Sequence, residues 1–304
     1  MKWIKQGLIY CPDGESSWAK NSALQPTPVL LENGILRIYL GLRDDYGVSR
    51  IGFVDVDARN PAKVLSISKE PALDIGVPGA FDDNGVVPTA IVQREGKYFL
   101  YYAGYQIPKK VKFLAFAGLA TSENGKVFTR LKQVPVMDRT DRELYFRVPH
   151  SVIFENGVWR VWYGGGSKFI EEKGKVLPVY DIKYTESYDG LLFDKPGTTC
   201  IQFSQVDEYR IGRPYVLKDE EIYRMFYGTA TKTKGYRLGY AQSVDGVNWK
   251  RKDEEVGIDV STSGWDSQMI AYPAVVKYED KTYLFYNGND MGRSGFGYAL
   301  LSEW

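Results

Sequence analysis

A chain of 304 residues with a formal net charge of +1 has neither the basic excess that nucleic acid demands nor the one that draws a protein to an anionic membrane. No apolar run reaches the roughly 18 residues of a membrane-spanning helix, and the start "MKWIKQGLIYCPDG" lacks the apolar stretch of a secretion signal, so a cytoplasmic protein is expected. Two cysteines and one histidine form no metal or redox motif, and neither metal nor cofactor is expected.

Five segments repeat one order of events, and such a period is the mark of a repeat architecture. Each begins with a short apolar strand near a proline: "LQPTPVLL" (24–31), "VVPTAIVQ" (86–93), "RVPHSVIF" (147–154), "GRPYVLKD" (212–219) and "AYPAVVKY" (271–278). Aromatic-rich second strands follow, such as "LRIYLGLRD" and "VWRVWYGGG", and then third strands of small residues and Tyr or Phe. In three segments the third strand runs into a Ser-x-Asp/Asn-Gly turn: "LATSENGKVF" (119–128), "YTESYDGLLF" (184–193) and "YAQSVDGVNW" (240–249). There Gly takes positive φ while Ser and Asp bond to turn amides, so the motif reads as structural. A fourth strand comes after it.

Short strands closed by Gly, Asn and Asp, without helical periodicity, predict an all-β chain. Four antiparallel strands repeated five times predict a five-bladed β-propeller, one domain over residues 1–304. The fifth segment ends at "LLSEW" with no fourth strand, and "WIKQGLIYCP" at the start resembles "WKRKDEEVGI". The N-terminal strand is therefore expected to close the last blade and remove an open sheet edge.

In a propeller, the loops entering each first strand line the mouth of the central channel. Aligned on Val29, Ile91, Val152, Val216 and Val275, the position nine residues upstream holds Lys20, Asp82, Glu143, Asp207 and Asp266. The next position holds Asn21, Asp83, Leu144, Glu208 and Ser267. Such an acid ring could supply a general acid and a general base, or could cap turns and pair with arginines. The same strands bring in Arg147, His150, Arg210 and Arg213, and loops between second and third strands add Arg43, Lys168, Asn287, Asn289, Asp290 and Arg293. Guanidinium forks suit carboxylate or phosphate, so these residues could hold an anionic sugar or phosphate, or neutralise the acids. Aromatic residues make up 14% of the chain. Trp18, Tyr145, Tyr209, Trp265 and Tyr272 are candidates for sugar-stacking walls.

The repeats ending in Ser-x-Asp-Gly-x-x-Trp/Phe, with "FDDNGVVPT", "GRPYV" and "GWDSQMIAYPAV…YLFYNG", resemble the five-bladed glycosidase superfamily. That superfamily comprises glycoside hydrolase family 43, the invertases and the family 130 mannoside phosphorylases. The resemblance covers essentially the whole chain and implies carboxylates pointing into an axial funnel. At three positions where it implies an acid before proline, this chain has Gln25, Val148 and Arg213. The expectation is an enzyme acting on a glycosidic bond of a bacterial glycan, as a hydrolase or phosphorylase. Asp83 and Asp266 would form its acid/base pair and Glu208 its third carboxylate, with Asp82 and Glu143 contacting substrate. The alternatives are a non-catalytic binder of an anionic glycan or sugar nucleotide, and a scaffold whose rim binds another protein.

Overall fold

Alternating aromatic, β-branched and small residues favour pleated, half-buried strands. The computed structural model, which describes residues 1–172, 174–204 and 206–304, is accordingly almost entirely β-structure. After β1 (Lys2–Tyr10), the chain runs through four antiparallel meanders. The first is β2 (Asn21–Leu31), β3 (Ile35–Arg43), β4 (Ser49–Asp57) and β5 (Asn60–Ile67). The second is β6 (Val86–Arg94), β7 (Lys97–Gln106), β8 (Leu114–Ser122) and β9 (Thr129–Arg130). The third is β10 (Phe146–Glu155), β11 (Val158–Glu172), β12 (Lys175–Ser187) and β13 (Thr198–Ile201). The fourth is β14 (Glu208–Asp219), β15 (Ile222–Thr231), β16 (Arg237–Ser243) and β17 (Lys250–Arg251). A fifth sheet holds β18 (Ala271–Tyr278), β19 (Lys281–Asn287) and β20 (Phe296–Glu303), and its outer place is taken by β1, antiparallel to β20. Short parallel pairings of β8 with β10 and of β12 with β14 join the second, third and fourth sheets edge to edge.

Hydrophobic cores lie between successive sheets. Tyr39 and Phe53 of the first sheet pack with Leu100 and Phe116 of the second. Tyr101 packs with Trp159 and Val161, Trp162 with Ile211 and Met225, and Phe226 with Leu284 and Trp3. The fifth sheet returns to the first, where Phe285 and Tyr298 meet Leu36 and Ile38. The first strands follow the same order: β2 touches β6, β6 touches β10, β10 touches β14, β14 touches β18, and β18 touches β2.

Every first strand is interrupted at its proline. Proline has no N–H to give to the ladder, and the pairing register slips at Pro26, Pro88, Pro149, Pro214 and Pro273. A bulge of this kind re-aims the neighbouring side chain. Three residues preceding these prolines have positive φ: Gln25 at 56°, Arg213 at 55° and Tyr272 at 57°. A non-glycine residue in that region costs of order 1–3 kcal/mol and persists where packing enforces it, commonly at functional sites.

Candidate functional site

The bulged ends of the first strands surround a cavity of about 310 Å³, and Gln25, Val87, Arg213 and Tyr272, each preceding a bulge proline, line it. Its cations are Arg43, Lys112, Arg210 and Arg213. Six aromatic rings, Tyr105, Phe113, Phe146, Tyr180, Tyr236 and Tyr272, share the wall with His150, Ser49 and Asn84. Among the described residues, no aspartate or glutamate lines it.

Arg213 forms the inner end. Its Nη1 donates to the Thr89 carbonyl at 2.7 Å, and its Nη2 donates to the Pro26 carbonyl at 3.1 Å and to Thr27 Oγ1 at 2.9 Å. His150 Nδ1 lies 3.3 Å from Arg213 Nη1. Burial, together with the Arg213 charge, pushes the imidazole well below its usual 6.5. A neutral ring accepting at Nδ1 carries its proton on Nε2, which makes Nε2 a donor. Burial lowers the Arg213 guanidinium to about 10, so it stays charged at neutral pH.

Arg210 rests on aromatic faces, its guanidinium 4.6 Å from the centre of the Tyr209 ring and 5.9 Å from that of Tyr236. The Nε atoms of Arg43, Arg210 and Arg213 are buried without hydrogen-bond partners. A buried charge without a counter-ion is costly, and an entering anion relieves that cost. The Tyr180 and Tyr236 hydroxyls touch each other. Tyr105, Tyr180, Tyr236 and Tyr272 are all pushed up by burial, so at neutral pH they are hydroxyl donors rather than bases.

The expected acid ring lies elsewhere. Asp82 takes the Arg130 Nε at 2.7 Å and the Tyr102 hydroxyl at 3.1 Å. Glu143 takes Arg147 Nε at 2.9 Å and the Tyr163 hydroxyl at 2.6 Å. Glu208 holds both Arg251 Nη atoms at 3.0 Å and accepts from the Ser204 N–H at 2.8 Å. Asp266 takes Lys5 Nζ at 2.7 Å and the Tyr286 hydroxyl at 3.0 Å. Their partners stand mainly on the second and fourth strands of the same sheet, so these carboxylates are turned along the sheet and away from the cavity. Burial alone would raise Glu208 and Asp266, but Arg251 and Lys5 outweigh it and hold both below the usual range. A carboxyl held ionised in this way is a poor proton donor. Asp83 adjoins the cavity-lining Asn84, but its oxygens accept from the Gly79 N–H at 2.8 Å and Asn84 Nδ2 at 3.2 Å. Asp207 accepts from Thr233 Oγ1 at 2.9 Å. Asp83, Asp266 and Glu208, expected as one catalytic group, do not line this cavity and share no partners.

Of the other expected residues, Arg43, His150, Arg210, Arg213 and Tyr272 are brought together in the cavity, with Tyr209 behind Arg210. Arg147 instead donates to the Asp138, Phe193 and Lys195 carbonyls. Trp18 Nε1 donates to the Lys69 carbonyl, and the Tyr145 hydroxyl to that of Val179. Trp265 stacks on Tyr286 at 5.1 Å. Asn289 Oδ1 accepts from the Gln268 N–H at 2.8 Å. Asn287 is fully buried and clasps β2, accepting from the Gln25 N–H at 2.7 Å and donating to the Ala23 carbonyl at 2.6 Å. Lys168, Asp290 and Arg293 do not line the cavity either. Sequence reasoning misses Tyr105, Phe113, Phe146, Tyr180, Tyr236 and Lys112. Of the three residues singled out before a proline, Gln25 and Arg213 line the cavity and Val148 does not.

No protein-family model matches the chain. It is 36% identical over 303 residues, spanning 100% of both chains, to the uncharacterized protein Rv1502 of Mycobacterium tuberculosis. The chain belongs to the Rv1502 family. Among solved structures, a thermostable family-43 glycoside hydrolase matches with a TM-score of 0.69 and 17% identity, over 94% of this chain and 90% of that one. The β-1,2-mannobiose phosphorylase of Listeria innocua, in complex with β-1,2-mannobiose, matches with a TM-score of 0.71 and 13% identity, over 99% and 97%. This Rv1502-family chain therefore shares the overall fold of such hydrolases and phosphorylases.

Proposed function

We propose that this chain is a carbohydrate-active protein whose five sheets are the blades of a closed propeller, and whose axial cavity binds an anionic sugar. The cyclic order of first-strand contacts and inter-sheet cores supports the closed ring. The carrying observation is one cavity that holds Arg43, Arg210, Arg213 and His150 among six aromatic rings, with no carboxylate among its described lining residues. Its volume of about 310 Å³ falls at the lower end of the ~300–1,000 Å³ typical of small-ligand sites. Guanidinium forks recognise a carboxylate or phosphate, tyrosine and histidine donors reach sugar hydroxyls, and ring faces cover the apolar side of a pyranose. The free thiols of Cys11 and Cys200 support a cytoplasmic setting.

The test is calorimetric titration with glucuronic acid, galacturonic acid, glucose 1-phosphate, glucose 6-phosphate and UDP-glucose, each against glucose or galactose. At least one anionic sugar should bind about tenfold or more tighter than its neutral parent. Arg210→Met should erase that preference while leaving the fold intact. Equal, weak binding of charged and neutral sugars overturns the reading.

Cleavage of a glycosidic bond is the second reading, favoured by the fold shared with a phosphorylase and by guanidiniums suited to phosphate. A phosphate oxygen held by Arg43 and Arg210 would attack the anomeric carbon. The bond to the leaving oxygen would break, that oxygen would take the proton of the attacking hydrogen phosphate, and a sugar 1-phosphate and a free hydroxyl would result. Incubation with β-1,2-mannobiose and phosphate tests this for one substrate, and release of mannose 1-phosphate is the result that supports it.

A further inference from the structure

Three features of the cavity bear on what lies beyond the bound sugar. Its inner end is shut: Arg213 on β14 reaches β2 through Pro26 and Thr27, β6 through Thr89, and β10 through His150. A polymer cannot thread past a side chain hydrogen-bonded across the axis, so a chain can enter only by an end. The cavity's volume of about 310 Å³ is that of a single small-ligand site. The next unit of a chain would therefore lie at the mouth.

The mouth has a basic lip. Residues 107–113, "IPKKVKF", join β7 to β8, and Ile107, Lys112 and Phe113 line the cavity edge. Lys109, Lys110 and Lys112 are exposed, and none forms an ion pair with a described residue. The lip is anchored rather than loose. The Phe113 ring packs 5.8 Å from Tyr105, 6.0 Å from Tyr145, 6.3 Å from Phe146 and 6.5 Å from Phe169. Phe169 belongs to the β11–β12 ribbon. At 15 residues, β11 is longer than β7 or β15, each of 10, and Pro178 of the same ribbon lines the cavity. Lip and ribbon thus form one continuous wall above the pocket, with three lysines on the lip side. A run of lysines is ordinarily a solvated face. This one is pinned by an aromatic cluster to the rim of a cationic cavity.

From this geometry we infer that the ligand is the terminal unit of an anionic glycan chain, its penultimate unit held by the charge of Lys109 and Lys110 over the lip. The inference rests on the anionic-sugar reading above and adds to it a second subsite and a direction of entry.

The probes are galacturonic acid and its α-1,4-linked dimer and trimer, titrated against the full chain. The dimer should bind about tenfold tighter than the monomer, with a gain that shrinks as salt is raised. Lys109→Gln with Lys110→Gln should bring the dimer to within about threefold of the monomer and leave monomer binding unchanged. A dimer no tighter than the monomer, or a dimer advantage that survives the double substitution, overturns the second subsite and leaves the anionic-sugar reading standing. Failure to bind any acidic or phosphorylated monosaccharide withdraws both. Tight binding of the double-lysine lip to phosphatidylserine vesicles, lost in the same variant and unaffected by the monomer, would assign the lip to a membrane surface instead and also overturns the inference.

Discussion

The Tyr39 hydroxyl donates a 2.6 Å hydrogen bond to the Gly125 carbonyl, fastening the second strand of the first sheet to the Ser-x-Asn-Gly turn of the second. The arrangement repeats around the molecule. The Tyr101 hydroxyl donates to the Gly190 carbonyl at 2.8 Å, and Trp162 Nε1 to that of Gly246 at 2.7 Å. Where the fifth sheet meets the first, the Tyr283 hydroxyl donates to the Arg59 carbonyl at 3.2 Å. At the junction of the fourth and fifth sheets the chain termini replace the turn, and Phe226 packs edge-on against Trp3 at 5.9 Å. The turn motif recurs because each copy locks its own sheet to the one before it. Ser Oγ holds the turn glycine's N–H at 2.8–3.0 Å, which aims that glycine's carbonyl at the neighbouring aromatic.

Tyr39→Phe and Tyr101→Phe should each lower stability by about 1 kcal/mol, the net worth of a buried hydrogen bond. The two losses should add, because the sites share no partner. Gly125→Ala should cost more: its φ is +66°, and a Cβ would stand 2.9 Å from the Tyr39 hydroxyl oxygen. Urea unfolding of the single and double variants measures this. A wild-type midpoint in Tyr39→Phe would remove the latch from the account.

Glu208→Gln separates the structural role of the acid ring from a catalytic one. The substitution removes one of the two carboxylates that hold Arg251, which is 17% exposed at its side chain and keeps Asp253. Breaking a buried pair costs about 3 kcal/mol or more, and partial exposure brings this nearer ~2 kcal/mol. The melting temperature should fall accordingly, while affinity for an anionic sugar stays within about threefold of wild type. Lost affinity with an unchanged melting temperature would return Glu208 to the site.

The contrast shows where sequence stops being informative. Strand order, turns and the pairing of β1 with β20 are legible because alternation and turn chemistry are local, and because an unfilled fourth strand needs a donor. The phase of Asp82 and Asp266 is legible too, but their direction is not. It is set by Arg130 and Lys5, which stand on outer strands far away in sequence. Tyr105, Tyr180 and Tyr236 look like any strand tyrosine until the packing of the sheets brings them to one cavity. Arg213 is readable as a cation beside a first-strand proline. Its clasp on Thr89 and Pro26 depends on a left-handed backbone that no motif announces.

Acid should loosen the molecule through its turns and outer ion pairs. Asp189 is held below its ordinary range by the Leu191 N–H and the Ser187 hydroxyl. For Asp245, burial acts upward, but the Asn248 and Val247 N–H groups and the Ser243 hydroxyl outweigh it, and the net shift is also downward. Glu155 is lowered to about 2, chiefly by Lys218 and Tyr223. A depressed folded value means that the stabilisation is present above the unfolded value near 4 and is lost as pH falls through the folded one. Urea midpoints should therefore be flat from neutrality to about pH 5 and decline between about pH 4.5 and 2. Asp245→Asn keeps an acceptor for the turn, as Asn124 does in the second sheet, and should make that decline shallower. An equal decline in the variant would assign the acid sensitivity elsewhere.

Arg210 and Arg213 stand three residues apart on β14, and their substitution should have opposite consequences. Arg213 donates to the Thr89 carbonyl, the Pro26 carbonyl and Thr27 Oγ1 from one planar fork. Lysine keeps the charge but is a single ammonium and cannot reach both strands with the same geometry. Hydrogen bonds from a charged donor are worth about 1.5–3 kcal/mol each, and losing even one or two of them in Arg213→Lys should cost about 3 kcal/mol. Anion affinity should fall as well, because the inner end of the cavity would no longer be held. Arg210 instead lies on the Tyr209 and Tyr236 rings with its Nε unpartnered. Replacing an under-partnered buried charge with an apolar side chain of similar length is often neutral or stabilising. Arg210→Met should therefore hold or raise the melting temperature while it abolishes anion binding, the trade-off expected where a group is kept for a ligand at the expense of the fold. Matched calorimetry and thermal melts on the two variants decide it. If Arg210→Met unfolds the protein as Arg213→Lys does, both arginines belong to the scaffold, and the cavity loses its claim to an anion.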